Sequence, residues 1–298
     1  MTARDALREA CRACLGALRA NRAGLIAGKD DEPLHRIRVA LRRLRAAFAA
    51  FSPLLPRRAA RAQVARIRWL LRELGPARDW DVFCASTLGR ATGRGPKPLG
   101  LPALRRAAAR LREPARARAR RAVTSSRYRK LSQDLDGWLA GEAGVTGLSA
   151  AQRRALSEPL LPSVLAALER RWRRLRKRGR GVGGLDARAL HRLRIAVKRF
   201  RYTTLFFAPL FPAESTGATL HAAEALQDAL GGLNDCANAG PLLKQVVAAA
   251  RGEAARTARA PIVERIAKAR GEYRRALKPA WKALRSAERF WRARPGAG

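Results

Sequence analysis

Acidic residues are scarce in this chain. Its 298 residues include 23 Asp and Glu against 63 Lys and Arg, which gives a formal net charge of +40. A positive charge of this size repels itself within a compact fold, so we expect an anionic partner to neutralise it. Nucleic acid, an anionic membrane surface and other polyanions are all candidates at this point, because net charge does not distinguish them.

Aromatic residues and cysteines are also few. Aromatic side chains make up 6% of the sequence and fall mostly at apolar positions of the helical pattern, so they offer little for stacking on bases. The four cysteines form no disulfide framework. The Cys11–Cys14 pair has neither a second pair nor a nearby His that would complete a zinc site. We therefore expect no structural metal and no cofactor.

No run of apolar residues approaches the length of a membrane span. Residues 1–29 are amphipathic and charged, which is unlike a signal peptide. We therefore expect a cytoplasmic protein that does not bind membranes.

The alternation of apolar and polar residues that is typical of β-strands is missing as well. Hydrophobic residues nevertheless reach 47%, and Ala, Leu and Arg are abundant, so we predict an all-α protein with a substantial core. The stretches 89–100 and 179–186, rich in Gly and Pro, are predicted loops. The apolar spacing predicts helices near residues 3–22, 32–53, 57–75, 79–88, 101–121, 126–140, 158–178, 187–208, 214–230, 235–250 and 255–290, the last broken around Pro279.

The sequence contains an internal repeat. Residues 34–40, Leu-His-Arg-Ile-Arg-Val-Ala, return at residues 190–196 as Leu-His-Arg-Leu-Arg-Ile-Ala, an offset of 156 residues. We infer a duplication with halves 1–143 and 150–298, joined by a Gly-rich stretch. Two units are too few for a solenoid and favour a pseudo-twofold pair of helical bundles whose repeated helices face a shared surface. The match continues through Phe51, Pro53, Leu54, Pro56, Leu74, Gly75 and Asp79, which face Phe207, Pro209, Leu210, Pro212, Leu230, Gly231 and Asp235.

The repeated helix carries a stripe of cations beside its apolar face. At 100° per residue the four residues of the first stripe fall within an arc of roughly 80° and span about 15 Å of helix. No acid interrupts either stripe, and like charges at this spacing destabilise a helix unless an anion fills the stripe. A flexible linear phosphate polyanion suits such a ladder of Arg side chains. The stripes are His35, Arg38, Arg42 and Arg45 in the first copy and His191, Arg194, Lys198 and Arg201 in the second.

Four further residues match across the repeat. His35 and His191 each open a stripe, and we favour phosphate contact over a purely structural role for them, with some pH dependence of binding. Asp79 and Asp235 also match. One interpretation is that they are metal ligands or catalytic acids. We favour the other, in which each caps a helix or provides a countercharge that holds an Arg in place.

The repeated motifs resemble the CHAD family, the conserved histidine α-helical domain. The pattern His-x-x-Arg-[Val/Ile]-x-x-[Lys/Arg]-Arg-x-Arg occurs at 35–45 and 191–201, followed by Leu-Gly-x-x-[Arg/Asn]-Asp at 74–79 and 230–235. The resemblance spans nearly the whole chain, so that residues 1–298 form one CHAD domain. It implies two pseudo-symmetric four-helix-bundle-like halves around a basic central pore, binding of inorganic polyphosphate, and association with polyphosphate granules.

Carried over by position, the resemblance also implies the binding residues. The first copy has Arg42 where Lys is common in the family, and Ala46 stands where the second copy has Tyr202, so the halves are unequal. The acidic Glu-x-Glu-x-Lys motif of the triphosphate-processing domain that often accompanies this family is absent, which indicates a stand-alone binding module. The implied polyphosphate ligands are His35, Arg38, Arg42, Arg43, Arg45, His191, Arg194, Lys198, Arg199 and Arg201.

Two other functions compete with this interpretation. A nucleic-acid-binding protein fits the charge, but zinc-finger spacing, RNP-type aromatic motifs and a basic zipper are missing, so only non-specific DNA or RNA binding is expected. An enzyme acting on phosphate polymers would need metal-holding carboxylates, a P-loop or an activated nucleophile. None of the corresponding motifs occurs, and we predict that the protein is not an enzyme.

Overall fold

The computed structural model describes residues 2–51, 55–89, 99–140, 149–250 and 252–292. Within these ranges the chain is almost entirely helical and contains no β-strand, so the all-α prediction is confirmed. In the same ranges, no helix combines the length and the apolar character needed to cross a bilayer.

The helices follow the predicted order closely. Their bounds are α1 Ala3–Ala27, α2 Glu32–Phe51, α3 Arg57–Glu73, α4 Gly75–Val82, α5 Leu101–Thr124, α6 Ser126–Ala140, α7 Ala150–Ser157, α8 Leu161–Gly179, α9 Ala187–Phe207, α10 Ala213–Ala250, α11 Glu253–Thr257 and α12 Arg259–Ser286. A π-helical segment, Phe83–Gly89, follows α4. The join between the predicted halves at 141–148, and residues 90–98 of a predicted loop, lie outside the described residues.

Local sequence signals explain several helix ends. Thr2 caps α1 through a reciprocal capping box with Asp5, and Gly28 ends that helix in the left-handed conformation, which glycine adopts without steric cost. Asp186 caps α9 by accepting a hydrogen bond of 2.6 Å from the amide of Ala189. The N-terminal caps Thr2 and Asp186 fix where α1 and α9 begin.

Two long helices are continuous where the sequence predicts a break. The predicted break between residues 230 and 235 is absent, because α10 continues through Gly231, Gly232 and Pro241. The predicted interruption at Pro279 is also wrong: α12 passes through this exposed position, where water can satisfy the carbonyl that lacks its amide partner. Propensity alone did not foresee this, because packing between α10 and α12 stabilises both helices.

The boundaries differ in two further places. The segment α7 was not predicted at all, and α4 begins at Gly75 instead of residue 79. Pro76 in the first turn of α4 explains the earlier start. Proline is favoured there because the first backbone N–H groups of a helix have no acceptor within the helix, so its missing N–H costs nothing.

The core consists of two apolar clusters. The larger cluster includes α1, α2, α6, α8 and α9, and it buries Cys11 and Leu168 completely. The smaller cluster joins α4 and the start of α5 to the end of α10 and the start of α12. Each face that the 3.6-residue period marks as apolar is therefore covered by another helix.

The two repeated helices, α2 and α9, pack against each other. The ring of Phe51 in α2 contacts those of Phe206 and Phe207 in α9 edge-on, with centroid separations of 6.0 and 5.6 Å. Phe51 and Phe207 are matched positions of the repeat and both are fully buried. Since matched ends meet, the two helices run side by side in the same direction.

We predict opposite effects on stability for two adjacent glycines in α10. A Cβ at Gly232 would lie 2.3 Å from the Tyr273 ring of α12, whereas a Cβ at Gly231 would meet nothing within 4 Å. Gly232→Ala should therefore lower the free energy of unfolding by about 1–3 kcal/mol through overpacking. Gly231→Ala should raise it by about 0.5–1 kcal/mol through reduced backbone entropy in the unfolded chain.

Urea unfolding followed by circular dichroism measures both changes. Equal effects of the two substitutions would contradict a close approach of α10 to α12 at Gly232.

Candidate functional site

A cationic cavity of about 270 Å³ lies beside the contact between α2 and α9. We call it the central cavity. Each stripe helix contributes two cations, Arg42 and Arg45 from α2 and Lys198 and Arg199 from α9. No carboxylate lines the cavity within the described part of the chain. Its lining residues are Arg42, Arg45, Ala46, Ala49, Val64, Arg68, Arg171, Arg174, Lys198, Arg199 and Tyr202.

The unequal pair Ala46 and Tyr202 shapes this cavity. The guanidinium of Arg42 lies over the ring of Tyr202, 5.8 Å from its centroid, so that α9 positions a cation of α2. Lys198 is the residue that matches Arg42. The residue that matches Tyr202 is Ala46, so Lys198 has a methyl group in place of an aromatic ring as its counterpart in α2. The two halves therefore present their matched cations differently.

Arg38 and Arg194 lie next to the cavity and interact electrostatically with its cations. Both are half-buried, and Nη1 of Arg38 donates a hydrogen bond of 2.9 Å to the carbonyl of Leu71 in α3. The Nε–H groups of Arg38, Arg42 and Arg194 are buried and have no acceptor among the residues that the structure describes. Buried donors without acceptors cost free energy, and an anion reaching them would recover it.

The crowding of cations lowers several pKa values. Burial, followed by repulsion from Arg194 and Arg42, lowers the pKa of Lys198 to about 7. Burial and the charge of Arg42 lower the pKa of Arg38 to about 10. Burial and the charge of Arg78 lower the pKa of His35. The site therefore disfavours positive charge when it is unliganded.

Asp79 and Asp235 lie close enough to this cluster to interact with it and with each other. Neither caps a helix, because Asp79 is inside α4 and Asp235 is in the middle of α10, so the predicted capping role is wrong. Desolvation raises the pKa of both carboxyls, and the charges of Arg38 near Asp79 and of Arg194 near Asp235 oppose this rise. The arrangement fits the predicted role of a countercharge that holds a stripe arginine.

The remaining predicted residues lie elsewhere. His35 and Arg43 line a separate groove between α1 and α2. His191 is exposed and lies with Arg194 along a cavity of about 770 Å³ between α9, α10 and α12. Arg201 forms an ion pair with Glu224 of α10. The structure thus brings Arg42, Arg45, Lys198 and Arg199 together around one cavity and distributes the others around it.

Three cavity cations were not among the predicted residues. Arg68 comes from α3, while Arg171 and Arg174 come from α8. The spacing of Arg171 and Arg174 by three residues places them on one face of a helix, a signal that the sequence contained. The first half has no matched basic run, so the repeated motif does not include this segment.

Comparison with known proteins identifies the family. The model of the CHAD domain family matches residues 9–244 of this chain. The chain is also similar to the crystal structure of the CHAD domain from the plant Ricinus communis, with 30% sequence identity and a TM-score of 0.72 over 97% of this chain and 93% of that one. The structure of PptA from Streptomyces chartreusis shares the fold, with 18% identity and a TM-score of 0.63 over 96% of this chain and 99% of that one.

No curated protein matches the sequence. The match over residues 9–244 nevertheless covers well over half of the chain and contains both copies of the repeated motif. The resemblance seen in the sequence is therefore confirmed, and this chain belongs to the CHAD domain family.

Proposed function

We propose that this protein binds inorganic polyphosphate, or a closely similar linear phosphate polyanion, in the central cavity and acts by binding it without turnover. One observation carries the proposal: Arg42 and Arg45 of α2 and Lys198 and Arg199 of α9 meet three more cations from α3 and α8 around a single cavity, which no carboxylate lines within the described residues. Like charges held this close are unfavourable alone, and a polyanion turns their repulsion into attraction.

The chemistry of the cavity favours phosphate. Guanidinium groups present paired donors that match phosphate oxygens, and six of the seven cavity cations are arginines. The buried Nε–H groups of Arg42 and its neighbours supply further donors for the same oxygens. A linear phosphate chain has acceptors on every unit, so it can satisfy donors from both helices at once.

The cavity suits nucleic acid less well. Bases bind to exposed aromatic faces, but Tyr202 is buried and its ring is covered by Arg42. A confined volume of about 270 Å³ also favours an unbranched chain over one that carries bases. Non-specific binding of nucleic acid to the outer surface is still expected from a net charge of +40.

The positions of Asp79 and Asp235 favour a binding role for the site over a catalytic one. Asp79 and Asp235 do not line the cavity, and their main electrostatic partners are arginines of the stripes. Their countercharge would orient the cations that hold the ligand. The family resemblance further leads us to expect that the protein associates with polyphosphate granules in the cytoplasm.

The double variant Arg42→Gln and Lys198→Gln should weaken binding of long-chain polyphosphate by about 100-fold. It removes one cavity cation from each stripe, and a hydrogen bond to a charged group contributes about 1.5–3 kcal/mol. Isothermal titration calorimetry near physiological salt measures the change, and repeating it over a range of salt concentrations should give a shallower dependence on salt.

The matched control is Arg36→Gln with Arg188→Gln. Both residues are exposed, lie on the same two helices and lie outside the central cavity, so the control loses the same charge. We expect a change of less than about fivefold, since exposed charges contribute little. Equal losses in the two variants would show that overall charge alone binds the ligand. Displacement of polyphosphate by an equal charge of single-stranded DNA would favour a nucleic-acid-binding protein.

Binding should also weaken as the pH rises above about 7, the pKa of Lys198 in the unliganded protein. Phosphate favours the charged ammonium and raises this pKa, so each complex formed above pH 7 must take up a proton. The dissociation constant should therefore increase by up to about tenfold per pH unit between pH 7 and 9. Titrations in buffers of different ionisation enthalpy should detect the proton uptake.

Lys198→Arg is the control for this pH dependence, because arginine stays charged over the same range and already occupies the matched position 42. This variant should bind equally well at pH 7 and pH 9. An equally steep pH dependence in the variant would assign the titration to another group.

A further inference from the structure

A second basic groove lies between α8 and α9, with a volume of about 480 Å³. We call it the α8–α9 groove. Seven of its ten lining residues are cationic, and no carboxylate lines it within the described part of the chain. The cations are Arg171, Arg174, Lys177, Arg178, Arg180, Arg192 and Arg199.

The groove is continuous with the central cavity. Arg171, Arg174 and Arg199 line both spaces, so no neutral segment separates them. Burial and the neighbouring charges of Arg199 and Arg174 lower the pKa of Arg171 to about 10. The cationic surface therefore extends without a break from between α2 and α9 to the outer surface of α8.

The matched groove in the first half has a different character. It lies between α2 and α1, a segment that matches α8 at an offset of 157 residues, so that Cys14, Ala17 and Asn21 correspond to Arg171, Arg174 and Arg178. A carboxylate, Glu9, also lines it. The basic groove is therefore not a consequence of the duplication, and of the two matched grooves the one beside α8 is lined by more cations.

We propose that a polyphosphate chain too long for the central cavity leaves it beside α8 and lies along the α8–α9 groove. This inference rests on the proposed function. The central cavity holds the chain partly through half-buried cations such as Arg42, Arg45 and Lys198, whereas Lys177, Arg180 and Arg192 are exposed and attract further phosphates mainly by displacing counterions. Arg178 donates a hydrogen bond of 3.2 Å to the carbonyl of Arg192, which fixes one groove cation across the two helices. Affinity should consequently increase with chain length.

The test compares two triple variants on two ligands. The groove variant carries Gln at Lys177, Arg180 and Arg192. The control carries Gln at Arg170, Arg176 and Arg188, which are exposed residues on the same two helices that line neither space. All six side chains are exposed, so both variants should fold, as circular dichroism would check.

The ligands are tripolyphosphate and long-chain polyphosphate, titrated by calorimetry at several salt concentrations. The groove variant should bind the long chain about tenfold more weakly than the control, with a salt dependence reduced by about two counterions. Both variants should bind tripolyphosphate equally well, because the central cavity is intact.

Three other outcomes would overturn the inference. Equal long-chain affinity in the two variants would show that the groove adds only general charge. An equal loss of tripolyphosphate binding in the groove variant would make the groove part of the primary site instead of an extension. A wild-type protein that prefers neither ligand to single-stranded DNA would instead refute the proposed function itself, and the groove proposal with it.

Discussion

The close packing of α2 against α9 is the constraint on which the rest of the site depends. Edge-on contacts of Phe51 with Phe206 and Phe207 hold the two helices together, and burying these large side chains is strongly favourable. The same contact brings Arg42 and Arg45 of α2 together with Lys198 and Arg199 of α9 around one small cavity. Apolar packing thus provides the free energy that keeps like charges close before any ligand arrives.

The distribution of acids reinforces this arrangement. Several carboxylates form ion pairs away from the cavity, including Asp81 with Arg116 at 3.2 Å and Asp134 with Arg66 at 2.6 Å. They neutralise arginines that secure helices, whereas the cavity cations are left to each other. Burial, together with the resulting repulsion, lowers the pKa of Lys198, and an anion would relieve the repulsion. The cations around the central cavity therefore lower the stability of the unliganded protein.

The two halves differ where they meet the ligand. Tyr202 orients Arg42, while Ala46 provides no ring for Lys198, and the outer groove is basic only beside α8. A chain bound between the halves would therefore contact different residues at its two ends, although the helices that form the site have matched sequences. Such asymmetry would let a protein with repeated halves hold a polymer from one side.

The sequence by itself determined the helical class, the matched stripes and the family, because the period of apolar residues and the repeated motif are local properties. It also placed most helices within a few residues of their observed ends. Tertiary structure decided the continuity of α10 and α12, which pack together closely where Gly232 meets the Tyr273 ring, an approach that no local pattern encodes. Only the tertiary structure decided which cations share a cavity. It placed Arg68, Arg171 and Arg174 beside the stripes and turned Arg43 and Arg201 to other neighbours, because the position of a side chain relative to another helix follows from packing between distant segments.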